Sequence, residues 1–542
     1  MKFTRYIIVP FLAGLLMLSA CESDETFLEE TPSSFLTPEN AYLNKSQFEM
    51  LIAAMHRNVQ QFYNAGDGDK DAWARGIGTD VMFWPMDDQR VFNDWSLVNS
   101  LNGYSEDWYS WQYAIIKVAN SVITYAQNEE VKWNGEEEKN AIIAEGRFFR
   151  AFAYRNLTNV FGGVPIVDKP LTEPKLDFTR ASRTACWEFA KTDLEFAKDH
   201  LPLTTNMPGR VVRAAADHLL AEVCISLEDW TGAIDAATRV IDGTNGDYHL
   251  MTDRFGTRAD EAGKNIYWDL YRMGNQNYDM GNKEAIWVAQ MEYNTPGGTV
   301  NFGRPTIERM MWNRHWLFQR AGYSGVAQDS TGRGVSFVRP TNYANYSIWK
   351  NAGNDLRNTE AVIKRNYYFA DDVDGYNKGD LIPKSFLTAN EDTMQYIYPN
   401  WQKFGTDKHL DGKPDNGYVR DFYVMRLPET YLLRAEAYLG NSQPDKAADD
   451  INEIRNRAQA PLISAGDVTI DFILDERARE LFGEEFRMLT LGRLGLTYER
   501  TKKYGYEPAR NSISERNNLF PIPQTAIDRN VGAVLEQNPG YE

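Results

Sequence analysis

The chain has 542 residues, with 58 Lys and Arg against 76 Asp and Glu, a net charge of −18 and a mean hydropathy of −0.52. Hydropathy this low is that of a water-soluble body, and past the first twenty residues no apolar run is long enough to cross a bilayer. An acidic balance without a basic stripe of interleaved aromatics leaves nucleic acid out as a ligand.

In chain order, Lys2 and Arg5, an apolar run from Tyr6 to Met17 and Leu18-Ser19-Ala20-Cys21 make a secretory leader, residues 1–20, with a lipoprotein cleavage box. The run is about a dozen residues, short of the roughly 20 that a spanning helix needs, so it reads as removed rather than as an anchor. Small Ser19 and Ala20 fit a peptidase cleft, and Cys21 becomes the lipidated N-terminus. Several acyl chains on one cysteine hold a protein on a membrane where a single chain is marginal. Residues 21–38, with Glu22, Asp24, Glu25, Glu29 and Glu30, form an acidic flexible tether.

Residues 39–242 carry helical periodicity, with helices expected over 38–62, 105–127, 136–161 and 182–200. The third has Ala141, Ala144, Phe148 and Phe152 on one side and Phe149, Ala153, Leu157 and Val160 on another. Such a helix is buried on more than one face. Gly162-Gly163 ends it, and Val164-Pro165-Ile166 leaves extended.

An internal repeat follows. Leu219, Ala221, Glu222, Ala233, Asp235 and Val240 match Leu433, Ala435, Glu436, Ala447, Asp449 and Ile454 at one constant offset without a gap. Each set describes an amphipathic helix, a short turn and a second, Ala-rich helix, the form of a tetratricopeptide hairpin that buries its apolar face only by stacking on neighbours. Between the two copies, residues 243–421 turn rich in glycine, asparagine and aromatics while the helical period fades, which predicts an inserted loop-rich, irregular subdomain with a few short strands. Residues 422–542 return to helices, including one over 470–482. The expected fold is thus mainly α, a tetratricopeptide-like frame with an irregular insertion.

Chemistry is sparse. Glu484-Glu485 and Asp87-Asp88 are carboxylate pairs of the kind glycosidases hold across a cleft, but such pairs are common and solvated faces account for most of them. His56, His200, His218, His249, His315 and His409 show no metal-ligand spacing, and there is no GxSxG or P-loop. The Asp371-Asp372-Val373-Asp374-Gly375 and Asp411-Gly412 loops offer oxygens for calcium without matching an EF-hand, so no cofactor is expected. Cys186 and Cys224 lie in apolar helical patterns as small hydrophobes, with a disulfide between them a minor alternative.

Several segments resemble the signature blocks of the SusD/RagB family, in that family's order. They are Ala144-Glu145-Gly146-Arg147-Phe148-Phe149-Arg150-Ala151 running into Phe161-Gly162-Gly163-Val164-Pro165, the hairpin over 214–241, and 425–457. Next come Ile473-Leu474-Asp475-Glu476-Arg477-Ala478-Arg479-Glu480-Leu481 with Glu485-Phe486-Arg487, then Pro521-Ile522-Pro523 and Gln537-Asn538-Pro539-Gly540-Tyr541. The insertion resembles the family only loosely, through Arg339-Pro340-Thr341 and Asp355-Leu356-Arg357-Asn358. The resemblance implies four tetratricopeptide units and a surface-exposed, lipid-anchored outer-membrane protein that binds glycan without catalysis. It also implies a SusC-like TonB-dependent transporter as partner, and the acidic tract behind Cys21 resembles that group's surface-export signal. Peptide is the alternative cargo, as in the RagB branch.

Sugar rings present a C–H-rich face to aromatic side chains and edge hydroxyls to charged and amide groups. Two segments offer that mixture. The first spans 80–95, where Asp80, Trp84, Arg90, Asp94 and Trp95 are the candidates; it occupies the place of a family excursion that contributes to the ligand site. The second holds Trp312, Trp316, Arg320 and Tyr323 in the insertion, with the two tryptophans on one face if locally helical.

Overall fold

The computed structural model describes residues 41–63, 72–292, 295, 297–298, 310–325, 334–405 and 420–541. The leader, Cys21 and the tether lie outside the described residues, as do His409, Asp411 and Gly412. Among the described residues, no helix is long and apolar enough to cross a membrane.

The longer helices of the first half are α1 (Lys45–Gln61), α2 (Gly103–Tyr125), α3 (Glu136–Phe161), α4 (Arg183–His200), α5 (Arg213–Ser226) and α6 (Trp230–Ile241). Those of the last quarter are α7 (Leu427–Gly440), α8 (Pro444–Arg457), α9 (Ile470–Glu480), α10 (Arg487–Leu494) and α11 (Thr497–Tyr504). Several begin at a polar side chain that accepts from a first-turn amide: Asn102 from Tyr104 (3.1 Å), Ser182 from Ala185 (3.1 Å) and Asp229 from Gly232 (3.0 Å). α3 instead opens with Glu136, Glu137 and Glu138, which favour the positive end of the helix dipole.

As its two apolar faces predict, α3 is buried on several sides, packing against α2, α4 and α10. Its end is set by backbone contact. Gly162 takes φ +74°, and a Cβ on Gly163 would stand 2.1 Å from the Ala181 carbonyl oxygen, so only glycine lets the chain turn back this tightly.

The sequence repeat is a structural repeat. α5–α6 and α7–α8 are both helical hairpins, and their turns place Glu228 and Ser442, equivalent positions, in the left-handed region at φ 58° and 57°. α7 lies on α5 and α6, close enough that Gly440 meets the Trp230 indole. The matched glutamates Glu222 and Glu436 converge on Arg493 of α10, which donates to Glu436 at 2.8 and 2.7 Å and lies 3.7 Å from Glu222.

The insertion is irregular, and its strands are short. β1 (Met82–Phe83) pairs antiparallel with β3 (Arg339–Pro340), β2 (Ala285–Ala289) with β6 (Phe422–Arg426), and β4 (Ile363–Lys364) with β5 (Asn400–Trp401). A small separate core of Phe318, Ala321, Tyr367, Phe369, Ile382 and Ile397 supports its outer part.

A buried ionic cluster joins insertion to frame. Arg426, at the end of β6, pairs with Glu284 (2.6 Å), Glu480 (2.9 Å) and Glu484 (2.9 Å). Arg457 of α8 shares Glu284 and Glu480, and Arg357 of the insertion reaches Glu476 (2.7 Å) and Glu480 (3.2 Å) of α9. Each charge removed from water here is matched by several opposite ones, which such burial requires. The carboxylates at 476–485 are therefore structural, and Glu484-Glu485 is not on a solvated face as expected: Lys403 and Arg426 hold the first, Arg477 and Thr490 the second. Cys186 and Cys224 are free and buried.

Candidate functional site

β1–β3 pairing stitches the first candidate segment onto the insertion, with Met82 opposite Pro340 and Phe83 opposite Arg339. Thr341 extends the seam by donating its amide to the Val81 carbonyl (2.9 Å) and its hydroxyl to the Asp80 carbonyl (2.5 Å). Asp80 itself is fully buried. Its carboxylate accepts from Arg487 (3.1 and 2.6 Å) and Arg500 (3.0 Å). Burial pushes its carboxyl up, but the two guanidinium groups outweigh that and hold it down at about 2.

The expectation that the four tryptophans stand open to solvent does not hold. Trp84 is 1% exposed, Trp95 0%, Trp312 2% and Trp316 6%. Irregular backbone supplies the acceptors that let indoles enter the interior: Trp84 Nε1 donates to Val91 O (3.0 Å), Trp95 Nε1 to Gly78 O (2.9 Å) and Trp316 Nε1 to Gly334 O (2.8 Å). Trp312 and Trp316 share no open helical face, because the chain there forms a short 3-10 turn, His315–Leu317, with both rings inward. Neighbouring His315 is buried, and burial with Lys364 nearby lowers its imidazole to about 3.

The polar candidates have structural partners too. Asp94 caps the following turn through Ser96 (2.9 Å), and Arg90 covers the Trp84 ring at 4.1 Å. Arg320 donates to Asp392 (2.8 Å) and the Phe386 carbonyl (2.9 Å) while keeping 47% of its side chain exposed. Half-buried Tyr323 donates to the Tyr368 carbonyl (2.9 Å). One turn, Asp392–Tyr396, links the second segment to the β1–β3 seam: Asp392 holds Arg320, and Met394 Sδ lies 3.4 Å from Arg339.

What this seam leaves accessible centres on Arg339. Its guanidinium lies 5.4 Å from the Phe83 ring and 5.4 Å from the Tyr398 ring. Among the described residues no carboxylate pairs with it, and its Nε is buried without a hydrogen-bond partner. Burial lowers its pKa from the ordinary value, against the influence of Tyr398, Tyr346 and Tyr506. Tyr346 is 50% exposed. Tyr506 stacks on Phe83 at 4.0 Å and donates its hydroxyl to Asp88 at 2.9 Å; burial and that carboxylate push the hydroxyl up to about 12. Aromatic faces, a half-buried cation without a carboxylate partner and an exposed carboxylate are what recognition of a polyhydroxylated ring needs.

Of these residues, sequence reasoning found the segment but not the participants. Tyr346 and Tyr506 carry no motif, and Arg339 was visible only in Arg339-Pro340-Thr341. Among the described residues, no cluster of three or more His, Cys, Asp or Glu could hold a metal ion. The Asp371–Gly375 loop is a turn closed by Val373 and Tyr376.

A family model described as "SusD family" matches residues 276–541, and one described as "Starch-binding associating with outer membrane" matches 26–225. SusD-like protein P2 of Formosa agariphila is 24% identical over 558 residues, covering 98% of this chain and 99% of that protein. A SusD-like protein of Bacteroides ovatus is 24% identical over 491 residues, covering 87% and 79%. Among solved structures, a laminarin-binding SusD-like protein aligns with a TM-score of 0.68 at 23% identity, over 92% of this chain and 100% of the other. Surface glycan-binding protein A from Bacteroides fluxus aligns with a TM-score of 0.66 at 18% identity, over 92% and 100%. At these identities the structural likeness speaks for the fold.

Proposed function

The chain belongs to the SusD family, and from that premise we propose that it is a non-catalytic, outer-membrane-associated glycan-binding protein whose ligand lies on the Arg339 seam. Lipid on Cys21 tethers it at the cell exterior, and the tetratricopeptide-like frame docks on a SusC-like TonB-dependent transporter that receives the sugar. The observation that carries the reading is a half-buried arginine between aromatic rings, without a carboxylate partner among the described residues, beside the half-exposed Tyr346. The half-buried guanidinium lies beside the exposed Tyr346, so a sugar seated on that ring would meet a charged donor at its edge.

The test is calorimetry and affinity electrophoresis of the purified chain against an oligosaccharide panel. Laminarin oligosaccharides head the panel, since a structural neighbour is named for laminarin. Arg339→Ala and Tyr346→Ala should each weaken the bound sugar about tenfold or more, one charge-assisted hydrogen bond or one stacked ring being worth that much. A panel that stays silent while peptides bind refutes the glycan assignment. Unchanged sugar affinity in both variants refutes the site.

A further inference from the structure

A second concavity shares no residue with the Arg339 seam. It is a cleft of about 710 Å³ between the outer face of α2 and the strap from Pro165 to Phe178, closed at one end by the turn Gln524–Arg529. That volume is in the range of small-ligand sites. The cleft is preformed because the strap is pinned at both ends. At the first, Tyr113 Oη donates to Pro165 O (2.6 Å), Asn120 Nδ2 to Val167 O (2.8 Å) and Arg150 Nη1 to Asp168 O (2.8 Å). At the second, Asn530 exchanges two hydrogen bonds with the Phe178 backbone (2.7 and 2.8 Å), and the Gly532 amide donates to Leu176 O (2.7 Å). Between those anchors the strap is exposed along its length.

The lining has a charge opposite to that of the molecule. In a chain of net charge −18, the ionisable side chains other than tyrosine around this cleft are Lys117, Lys169, Lys175 and Arg529 against the single acid Glu173. Lys175 is taken by Asp177 at 2.6 Å, while Lys117, Lys169 and Arg529 have no carboxylate partner among the described residues. The floor is aromatic: half-buried Tyr113 lines it, backed by the buried Tyr109 at 4.8 Å, centroid to centroid. With Tyr113's hydroxyl held by the strap, that residue offers ring surface rather than polarity.

From this pairing of a pinned aromatic floor with three unpaired cations, we propose that the cleft binds an acidic oligosaccharide, a sugar bearing uronate or sulfate groups. A ring of the sugar lies on Tyr113, which Tyr109 backs, and its anionic groups meet Lys117, Lys169 and Arg529 in charge-assisted hydrogen bonds. This site goes beyond the glycan reading of the Arg339 seam, and the two stand or fall separately.

Calorimetry on the purified full chain tests it with trigalacturonate for carboxylate, a chondroitin sulfate hexasaccharide for sulfate and laminaritriose as the neutral control, at low and high salt. At least one acidic probe should bind, more weakly at high salt. The triple variant Lys117→Ala, Lys169→Ala, Arg529→Ala should lose about tenfold or more in affinity, and Arg339→Ala should lose none. All three replaced side chains are exposed, so the variant should melt as the parent does. Silence from both acidic probes, equal affinity in the triple variant, or loss in Arg339→Ala alone overturns the proposal. Laminaritriose bound at the seam with no acidic ligand in the cleft leaves the proposed function intact and removes only this inference.

Discussion

Arg493 lies between Glu436, to which it donates two hydrogen bonds at 2.8 and 2.7 Å, and Glu222, the equivalent residue of the other hairpin. One guanidinium therefore reads the register of both repeats. All three side chains are nearly fully buried, so removing one partner leaves charge stranded in the interior. Arg493→Ala should cost about 3 to 5 kcal/mol. Replacing Arg493 and Glu436 together by methionine should cost less than Arg493→Ala alone, although Glu222 keeps Arg155 at 2.5 Å. Urea midpoints of the variants decide this; additive losses would show that the two residues do not act as a pair.

Acid should unfold the protein through its buried, arginine-paired carboxylates, of which Asp80 and Glu476 are two. Asp80 and Glu476 are each held at about 2 in the folded state, where neighbouring arginines more than offset the effect of burial. Their folded values lie below the unfolded ones, near 4, so the stability they confer is fully present above about pH 4 and is lost as pH falls toward 2. Thermal melting should show that decline below about pH 4, and Asp80→Asn should remove part of it. A melting temperature flat down to pH 2 would contradict the assignment.

Trp95 and Tyr346 should separate stability from binding. Trp95 lies fully in the core, where its loss to alanine opens a cavity worth about 3 to 5 kcal/mol. Tyr346 is half exposed, so Tyr346→Ala should leave the melting temperature nearly unchanged while weakening the sugar. The reverse pattern in melting curves and titrations would return the ligand to the tryptophans.

The two described cysteines should be inert. Burial pushes the Cys224 thiol up to about 12 and raises that of Cys186, so at neutral pH neither supplies the thiolate that reacts. In a variant without Cys21, a thiol reagent should label neither residue in the native protein and both after unfolding, and reductant should not shift the melting temperature. Rapid native labelling would place one of them at the surface.

The helical frame was legible because its signals are local. The two apolar faces of α3, the caps at Asn102, Ser182 and Asp229, and the constant offset between the hairpins all follow from neighbours in sequence. The candidate site was not, because exposure in irregular chain is decided by distant partners. Residues 80–95 lack an amphipathic period, which suggested free rings, yet carbonyls of Val91 and Gly78 receive the indoles and bury them. Asp80 looked like a sugar ligand because nothing near it in sequence reveals Arg487 and Arg500. Tyr506 joins the seam only by stacking on Phe83, far away in the chain.

The Asp80–Arg487 bond joins residues separated by 407 positions. A ribosome thus releases the acid long before its basic partner has been made. The loop that carries Phe83 meets its β3 partner at Arg339 well before this ion pair can close, and the first hairpins can already pack behind it. The glycan face is consequently completed late, and a product truncated before Arg487 would carry the β1–β3 seam with Asp80 unpaired beneath it and no Tyr506 on Phe83.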